Sequence, residues 1–262
     1  MIVFYRDRFH SGPLPIPADS PWLRHGVGVF ETLIWTRSRL AWLDRHLARA
    51  AAGLDGLGLG PLPENLDVLL ADVVGRNRLA DDTARVTLHL GPEHEDGPVV
   101  PMVTAASYTR PPPEPVTLTV AEGVHLSHLA RFKTISYLPF RDATRRARAA
   151  GAWDAVLLDF EGHLLETGTG ALVFEDDEGL VTPETPWKLP SVALAAVADA
   201  RSVRQAPIRI DDLAAFRHAW LLNSLVGALP VGRLGEQDFA SDVESARALR
   251  GLIWQHDDGG TP

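Results

Sequence analysis

The chain has no cysteine, which excludes disulfides, thiolate metal centres and cysteine nucleophiles and leaves the redox compartment unread. No run of about 18 apolar residues reads as a membrane-spanning helix. The opening Met1-Ile2-Val3-Phe4-Tyr5-Arg6-Asp7 lacks the apolar core of a secretion signal, so a cytoplasmic protein is the expectation. No basic block stands out against a net charge of −9. That argues against nucleic acid as a partner, whereas an anionic small molecule can be met by local cations. Lysine is almost missing too: of 25 cationic side chains only Lys133 and Lys188 are lysines, the rest arginines.

What is present suits an ordinary globular protein. The 262 residues are 45% apolar and 23% charged, enough for one large domain or two of about 100–150 residues. The clear break is Tyr108-Thr109-Arg110-Pro111-Pro112-Pro113-Glu114-Pro115, which can continue neither a helix nor a central strand. It predicts a small N-terminal α+β domain over 1–108, a linker over 109–115 and a larger C-terminal domain over 116–254. Residues 255–262 read as a disordered tail.

In the first part, residues 28–35 read as a strand entered through glycines. A hairpin turn near Thr36-Arg37-Ser38-Arg39 follows. Asp44 is the expected cap of a helix ended by glycines 56, 58 and 60. A second helix is expected over 64–76, and strands over 85–90 and 99–106. In the second part, strands are expected at 116–120, 155–159, 172–174, 208–210 and 219–223. Helices are expected at 139–150, 191–200 and 240–254. The mixture indicates an α+β protein with its site at the domain junction.

Arginine supplies charge almost anywhere, but its guanidinium stays protonated and is no amine nucleophile. A lysine kept in the largely apolar stretch Leu129-Ala130-Arg131-Phe132-Lys133-Thr134-Ile135 therefore points to amine chemistry, above all a Schiff base with a carbonyl substrate or with pyridoxal phosphate. The bland alternative is compositional, an Arg-, Ala- and Leu-rich chain from a GC-rich coding sequence. A pyridoxal enzyme also needs a carboxylate for the ring nitrogen and an anion cradle. Glu166, in Glu161-Gly162-His163-Leu164-Leu165-Glu166-Thr167-Gly168-Thr169-Gly170, is the candidate carboxylate; the bland alternative is a solvated carboxylate in a Gly/Thr-rich loop.

Four segments carry a resemblance: Gly26-Val27-Gly28-Val29-Phe30-Glu31-Thr32, Leu43-Asp44-Arg45-His46-Leu47-Ala48-Arg49, Lys133-Thr134-Ile135-Ser136-Tyr137-Leu138, and the Asp159 to Thr169 stretch. In this order, over about residues 22–232, they resemble the class IV aminotransferases, the fold-type IV pyridoxal phosphate enzymes. The resemblance implies an α+β, two-domain fold with a smaller N-terminal α/β domain and a larger C-terminal, barrel-like mixed sheet with helices. It implies that Lys133 forms the Schiff base with the cofactor, that Glu166 pairs with its ring nitrogen, and that Arg49 holds the phosphate. Tyr137 is expected to hydrogen-bond the phenolic oxygen. The phosphate cradle is expected at Ser191, Val192 and Ala193, where the family often has a threonine at position 193, and at Ser224 and Leu225.

Family members often place a substrate-binding arginine where this chain has Leu90. The expected substrate contacts are then Phe30, Arg24, His25, His89 and Arg131, with Arg110 a further cation. The wording Asn223-Ser224-Leu225…Pro230-Val231 and the missing threonine at 193 are similar to the 4-amino-4-deoxychorismate lyase branch of folate synthesis. The alternatives are a branched-chain or D-amino acid transaminase, or a non-catalytic protein that uses the fold to bind another anion. The resemblance also implies a homodimer that takes a small amino substrate, with no metal.

Overall fold

The computed structural model describes residues 1–255, in two compact units: Met1–Arg110 together with Phe132–Ser136, and Pro111–Arg131 together with the chain from Tyr137 onward. The sequence expectation drew the first domain as an unbroken 1–108. Instead a pentapeptide from beyond the proline-rich stretch, carrying Lys133, belongs to the first unit. Backbone pairing is the reason: Phe30 N–H donates to Lys133 O at 2.8 Å and Ile135 N–H to Gly28 O at 3.0 Å. The expected linker is itself tied into the second unit, since Arg250 Nη1 donates to Pro111 O at 2.9 Å. Of the expected tail, all but Gln255 lies outside the described residues. No helix among those described is long and apolar enough to cross a membrane.

The first unit contains β1 (Val3–Tyr5), β2 (Arg8–His10), α1 (Pro21–His25), β3 (Val29–Thr36), α2 (Leu43–Gly56), α3 (Leu66–Arg76), β4 (Thr83–Pro92) and β5 (Val99–Ser107). Its strands form an antiparallel sheet in the order β2-β1-β5-β4-β3. Period-two alternation sorts β4 into two faces. Ala84, Val86, Leu88 and Leu90 enter the core, while Arg85, Thr87 and His89 look the other way. Leu66, Leu70, Val73 and Val74 make the matching stripe on α3 at helical spacing, joined by Val29, Leu33, Ala50 and Leu54. The expected cap Asp44 stands in the first turn of α2; the cap position is Trp42, at φ 52°.

The second unit contains β6 (Val116–Val120), α4 (Leu138–Ala149), β7 (Asp154–Leu158), β8 (Leu164–Thr167), β9 (Ala171–Asp176), β10 (Gly179–Pro183), α5 (Val192–Ala198), β11 (Val203–Ala206), β12 (His218–Asn223), β13 (Gly227–Leu234), β14 (Gln237–Asp238) and α6 (Val243–Ile253). Among the described residues the sheet runs β11-β10-β9-β12-β13-β6-β7-β8, with β14 on β13. One alternative falls and one strand is displaced. Glu166 is no solvated loop carboxylate but lies on β8, whose four residues are all buried, so they show no alternation to read. The expected strand 208–210 is displaced to β11, because Pro207 has no N–H to continue a ladder and a 3-10 helix, Ile210–Ala215, follows.

One buried polar cluster fixes α2 to β3. Glu31 shares the core face of β3 with Val29 and Leu33 and is 1% exposed. It accepts from Arg49 Nε at 2.8 Å, Arg49 Nη2 at 2.6 Å and His46 Nδ1 at 2.6 Å. Burial alone would push this carboxyl up; the Arg49 charge and the hydrogen bonds from both partners override it and hold Glu31 at about 2, against an ordinary 4.5. Burial, the dominant influence, pulls His46 below its ordinary value, so the neutral ring places its proton on Nδ1, facing the carboxylate.

Two outcomes follow from this packing. Gly28 has φ +140°, and a Cβ there would meet the Leu90 carbonyl and lie 2.8 Å from Ile135 Cδ1. Gly28→Ala should destabilise the chain by about 2 kcal/mol and loosen the lysine pentapeptide, seen as lowered thermal stability and faster amide exchange at Ile135; an unchanged melting temperature would contradict the close approach. Because the folded pKa of Glu31 is depressed, its contribution is complete above about pH 4.5 and drains away as pH falls toward about 2. Glu31→Gln should cost about 3 kcal/mol at neutral pH, with a gap to wild type that narrows in acid denaturation series below pH 4.5; a constant gap would show that Glu31 is not ionised.

Candidate active site

The alternation that builds the core of the first unit also decides what faces Lys133. Phe30 lies on the opposite face of β3 from Glu31, and Lys133 Nζ sits 4.5 Å from the centre of its ring, a distance at which an ammonium is attracted to the aromatic face. Phe30 pairs across the sheet with His89, and the two rings stack at 5.8 Å and 22°. Trp22 of α1 lies beyond His89, with ring centres 6.3 Å apart. The His89 Nδ1 atom is buried without a hydrogen-bond partner, and burial lowers the pKa of the ring. A neutral imidazole with an unanswered nitrogen therefore stands next to the ring that carries the lysine amine.

The Leu90 side chain, where the family often has an arginine, is fully buried in the core, whereas the neighbouring His89 lies on the opposite face with Phe30. Of the other expected substrate contacts, Arg24 and His25 are exposed on α1. His25 contributes its carbonyl, which accepts from Ser136 Oγ at 2.9 Å and helps seat the lysine segment. Arg131 is exposed and belongs to the second unit. Arg49 is committed to Glu31 through two nitrogens, with its side chain 13% exposed.

The second unit holds the acidic residue. Glu166 is 7% exposed, and its Oε1 accepts from Leu189 N–H at 3.0 Å. The turn after it is organised by Asp154, a fully buried carboxylate that sequence reasoning passed over. Asp154 Oδ1 accepts from Thr144 Oγ1 at 2.7 Å and Ala155 N–H at 2.9 Å, and Oδ2 from Thr169 N–H at 2.9 Å and Thr169 Oγ1 at 2.7 Å. Gly168 is required beside it, since a Cβ would collide with Thr144 Oγ1 and come within 2.8 Å of Asp154. The one signal in the sequence was an acidic residue opening an otherwise apolar strand.

The other expected cofactor contacts lie in the second unit. The Tyr137 hydroxyl donates to Gly168 O at 2.8 Å while its ring stacks on Phe140 at 4.7 Å. Leu225 N–H donates to Asn223 Oδ1 at 3.0 Å, as Val226 N–H does at 2.9 Å. The Ser224 carbonyl accepts from Trp254 Nε1 at 3.0 Å. Asn223 thus closes this turn on itself. Ser191 is the cap of α5, accepting from Leu194 N–H at 3.2 Å. Val192 and Ala193 are buried in the first turn, where amides have no acceptor within the helix.

The sequence pattern of the family described as Amino-transferase class IV matches residues 28–234. An aminodeoxychorismate lyase from Vibrio harveyi is 25% identical over 270 aligned residues, covering 90% of this chain and 94% of that protein. Among solved structures, a fold IV-transaminase, CpuTA1, from Curtobacterium pusillum has a TM-score of 0.84 at 23% identity, covering 98% of each chain. A branched-chain aminotransferase from Thermoproteus uzoniensis with norvaline reaches 0.87 at 18%, covering 98% of this chain and 95% of that one. A hypothetical aminotransferase from Mycobacterium tuberculosis, in its alpha-ketoglutarate and PMP bound form, reaches 0.84 at 21% over the whole of both chains. At these identities the structural likenesses carry the fold alone. The family pattern, however, spans both the lysine segment and the Glu166 turn, and so the chain belongs to the class IV aminotransferases.

Proposed function

We propose that this protein is a pyridoxal phosphate enzyme that converts 4-amino-4-deoxychorismate into 4-aminobenzoate and pyruvate. The observation that carries the reading is the lysine amine over Phe30, with a stacked, neutral His89 beside it. Its support from relatives is the near full-length similarity to the Vibrio harveyi lyase. The residue types are those the cofactor needs: Lys133 would supply the amine for the aldehyde, Glu166 the carboxylate for the ring nitrogen, and Arg49 and the first turn of α5 the donors for the phosphate. A flat pair of rings suits an unsaturated six-membered ring that becomes planar on aromatisation better than a branched aliphatic chain. A homodimer, a place in folate synthesis and a cytoplasmic setting belong to the same reading.

When bound, pyridoxal phosphate supplies an aldehyde for amine exchange and a ring that accepts electrons from the substrate carbon. The Lys133 amine would take the proton from the ring carbon that bears the amino group. It then delivers a proton to the methylene of the departing enolpyruvyl group, which leaves as pyruvate, and the remaining ring becomes aromatic. Glu166, as a carboxylate, would hold the proton on the cofactor's ring nitrogen. Arg49, oriented by Glu31, brings the positive charge for the phosphate. His89 offers a neutral donor or acceptor to the substrate.

The purified protein should show an absorption band near the visible edge that is abolished by borohydride, with the label fixed on Lys133. Lys133→Ala should lack the band and lose activity by at least roughly a thousandfold. A colourless protein that takes up no added cofactor would end the enzymatic reading. Given aminodeoxychorismate, the protein should release 4-aminobenzoate; keto-acid exchange with alanine, glutamate or branched-chain amino acids, and no 4-aminobenzoate, would replace the lyase by a transaminase. His89→Phe should raise KM by about tenfold with a smaller change in kcat, and an unaltered KM would remove His89 from the substrate side.

A further inference from the structure

The second lysine has no part in the reading above. Lys188 is half-buried in the turn between β10 and α5. Its ammonium reaches back to donate to the Pro183 carbonyl at the end of β10. The turn is also tied at its start by Glu184 N–H on Ala206 O at 2.8 Å. At its tip Thr185 Oγ1 accepts from Trp187 N–H at 3.1 Å. The residue after Lys188 is Leu189, whose N–H reaches the Glu166 carboxylate. The amide that holds Glu166 therefore hangs on a turn that the lysine closes.

We propose that Lys188 is a positioning residue for Glu166: fastened to Pro183 O, it fixes the Leu189 N–H on the carboxylate and sets a positive charge near it. Glu166 is then both ionised and aimed. The inference rests on the role given above to Glu166 as partner of the ring nitrogen. Burial pulls the Lys188 ammonium below the ordinary lysine range, and the two carboxylates facing it, Glu166 on β8 and Glu184 in the turn, oppose that pull. An ammonium on a flexible stem meets a single carbonyl oxygen more readily than a planar guanidinium fork does. That accounts for a lysine at this position in a chain otherwise written with arginine.

Two lysines give a simple experiment. In the cofactor-free full-length chain labelled with 15N-lysine, two side-chain signals are expected, assigned with Lys133→Arg. In Glu166→Gln the midpoint of the Lys188 signal should fall by about one pH unit, since an opposing negative charge is gone. An unmoved midpoint would overturn the coupling whether or not the protein binds pyridoxal phosphate. In a second arm, Lys188→Met should weaken pyridoxal phosphate binding about tenfold in the wild-type background and have no further effect in Glu166→Gln. Equal weakening in both backgrounds would make Lys188 a general stabiliser of the fold and reject the proposal. Should Lys188→Met fail to fold, the first arm decides alone. A wild-type chain that binds no pyridoxal phosphate would instead strike at the cofactor reading, leaving the lysine titration as a separate result.

Discussion

Two backbone hydrogen bonds, Phe30 N–H to Lys133 O and Ile135 N–H to Gly28 O, fix where the Lys133 side chain can be. They make residues 132–136 an annex of β3, although the chain on both sides belongs to the other unit. The approach is close enough that positions 26 and 28 exclude a side chain, the first against Ser136 and the second against Leu90 O and Ile135. The glycines before β3 thus let a distant segment lie directly on the strand. With that seat in place the lysine side chain has one aromatic face to rest on, and the strand alternation that selects Phe30 also selects His89.

Three buried carboxylates show how burial and partner chemistry divide labour. Glu31 meets a guanidinium and an imidazole and is held far below its ordinary pKa; it joins a helix to a strand. Asp154 meets hydroxyls and amides only and shapes the turn after β8. Glu166 meets an amide placed by a lysine-closed turn. A charged group taken out of water costs free energy unless hydrogen bonds or an opposite charge replace the solvent. Each site answers that demand with different donors.

Much of this was legible in sequence wherever a pattern repeats. The strand at 28–35 and the α3 stripe follow from spacing, and the lysine, the Glu166 turn and the "His-x-x-Arg" helix follow from motif. What stayed hidden depends on contacts made far along the chain. β8 is buried on both faces and so shows no alternation, and flanking glycine and threonine made it look like a loop. Pro207 moved a strand by ending a ladder early. The hydrogen bond from the Tyr137 hydroxyl to Gly168 O, 31 residues away in sequence, is announced by no motif. Leu90 stands where the family often has an arginine, and its place in the core, fully buried, is set by strand alternation that the motif does not record.

The scarcity of lysine acquires a physical meaning once both lysines are located. A chain that meets its surface needs with arginine can dispense with lysine wherever only charge is required. Guanidinium cannot lose its proton in water-accessible chemistry, and its fork is poorly matched to a lone carbonyl oxygen. The two lysines retained are both half-buried, one over an aromatic ring on a pinned strand annex and one closing the turn that reaches Glu166. Burial lowers the cost of neutralising an ammonium, as the depressed pKa of Lys188 shows. Positions where an amine must be compact, directional or able to give up a proton are those where arginine has no substitute to offer. Drift toward arginine elsewhere in the chain then leaves such positions standing out in the bare sequence.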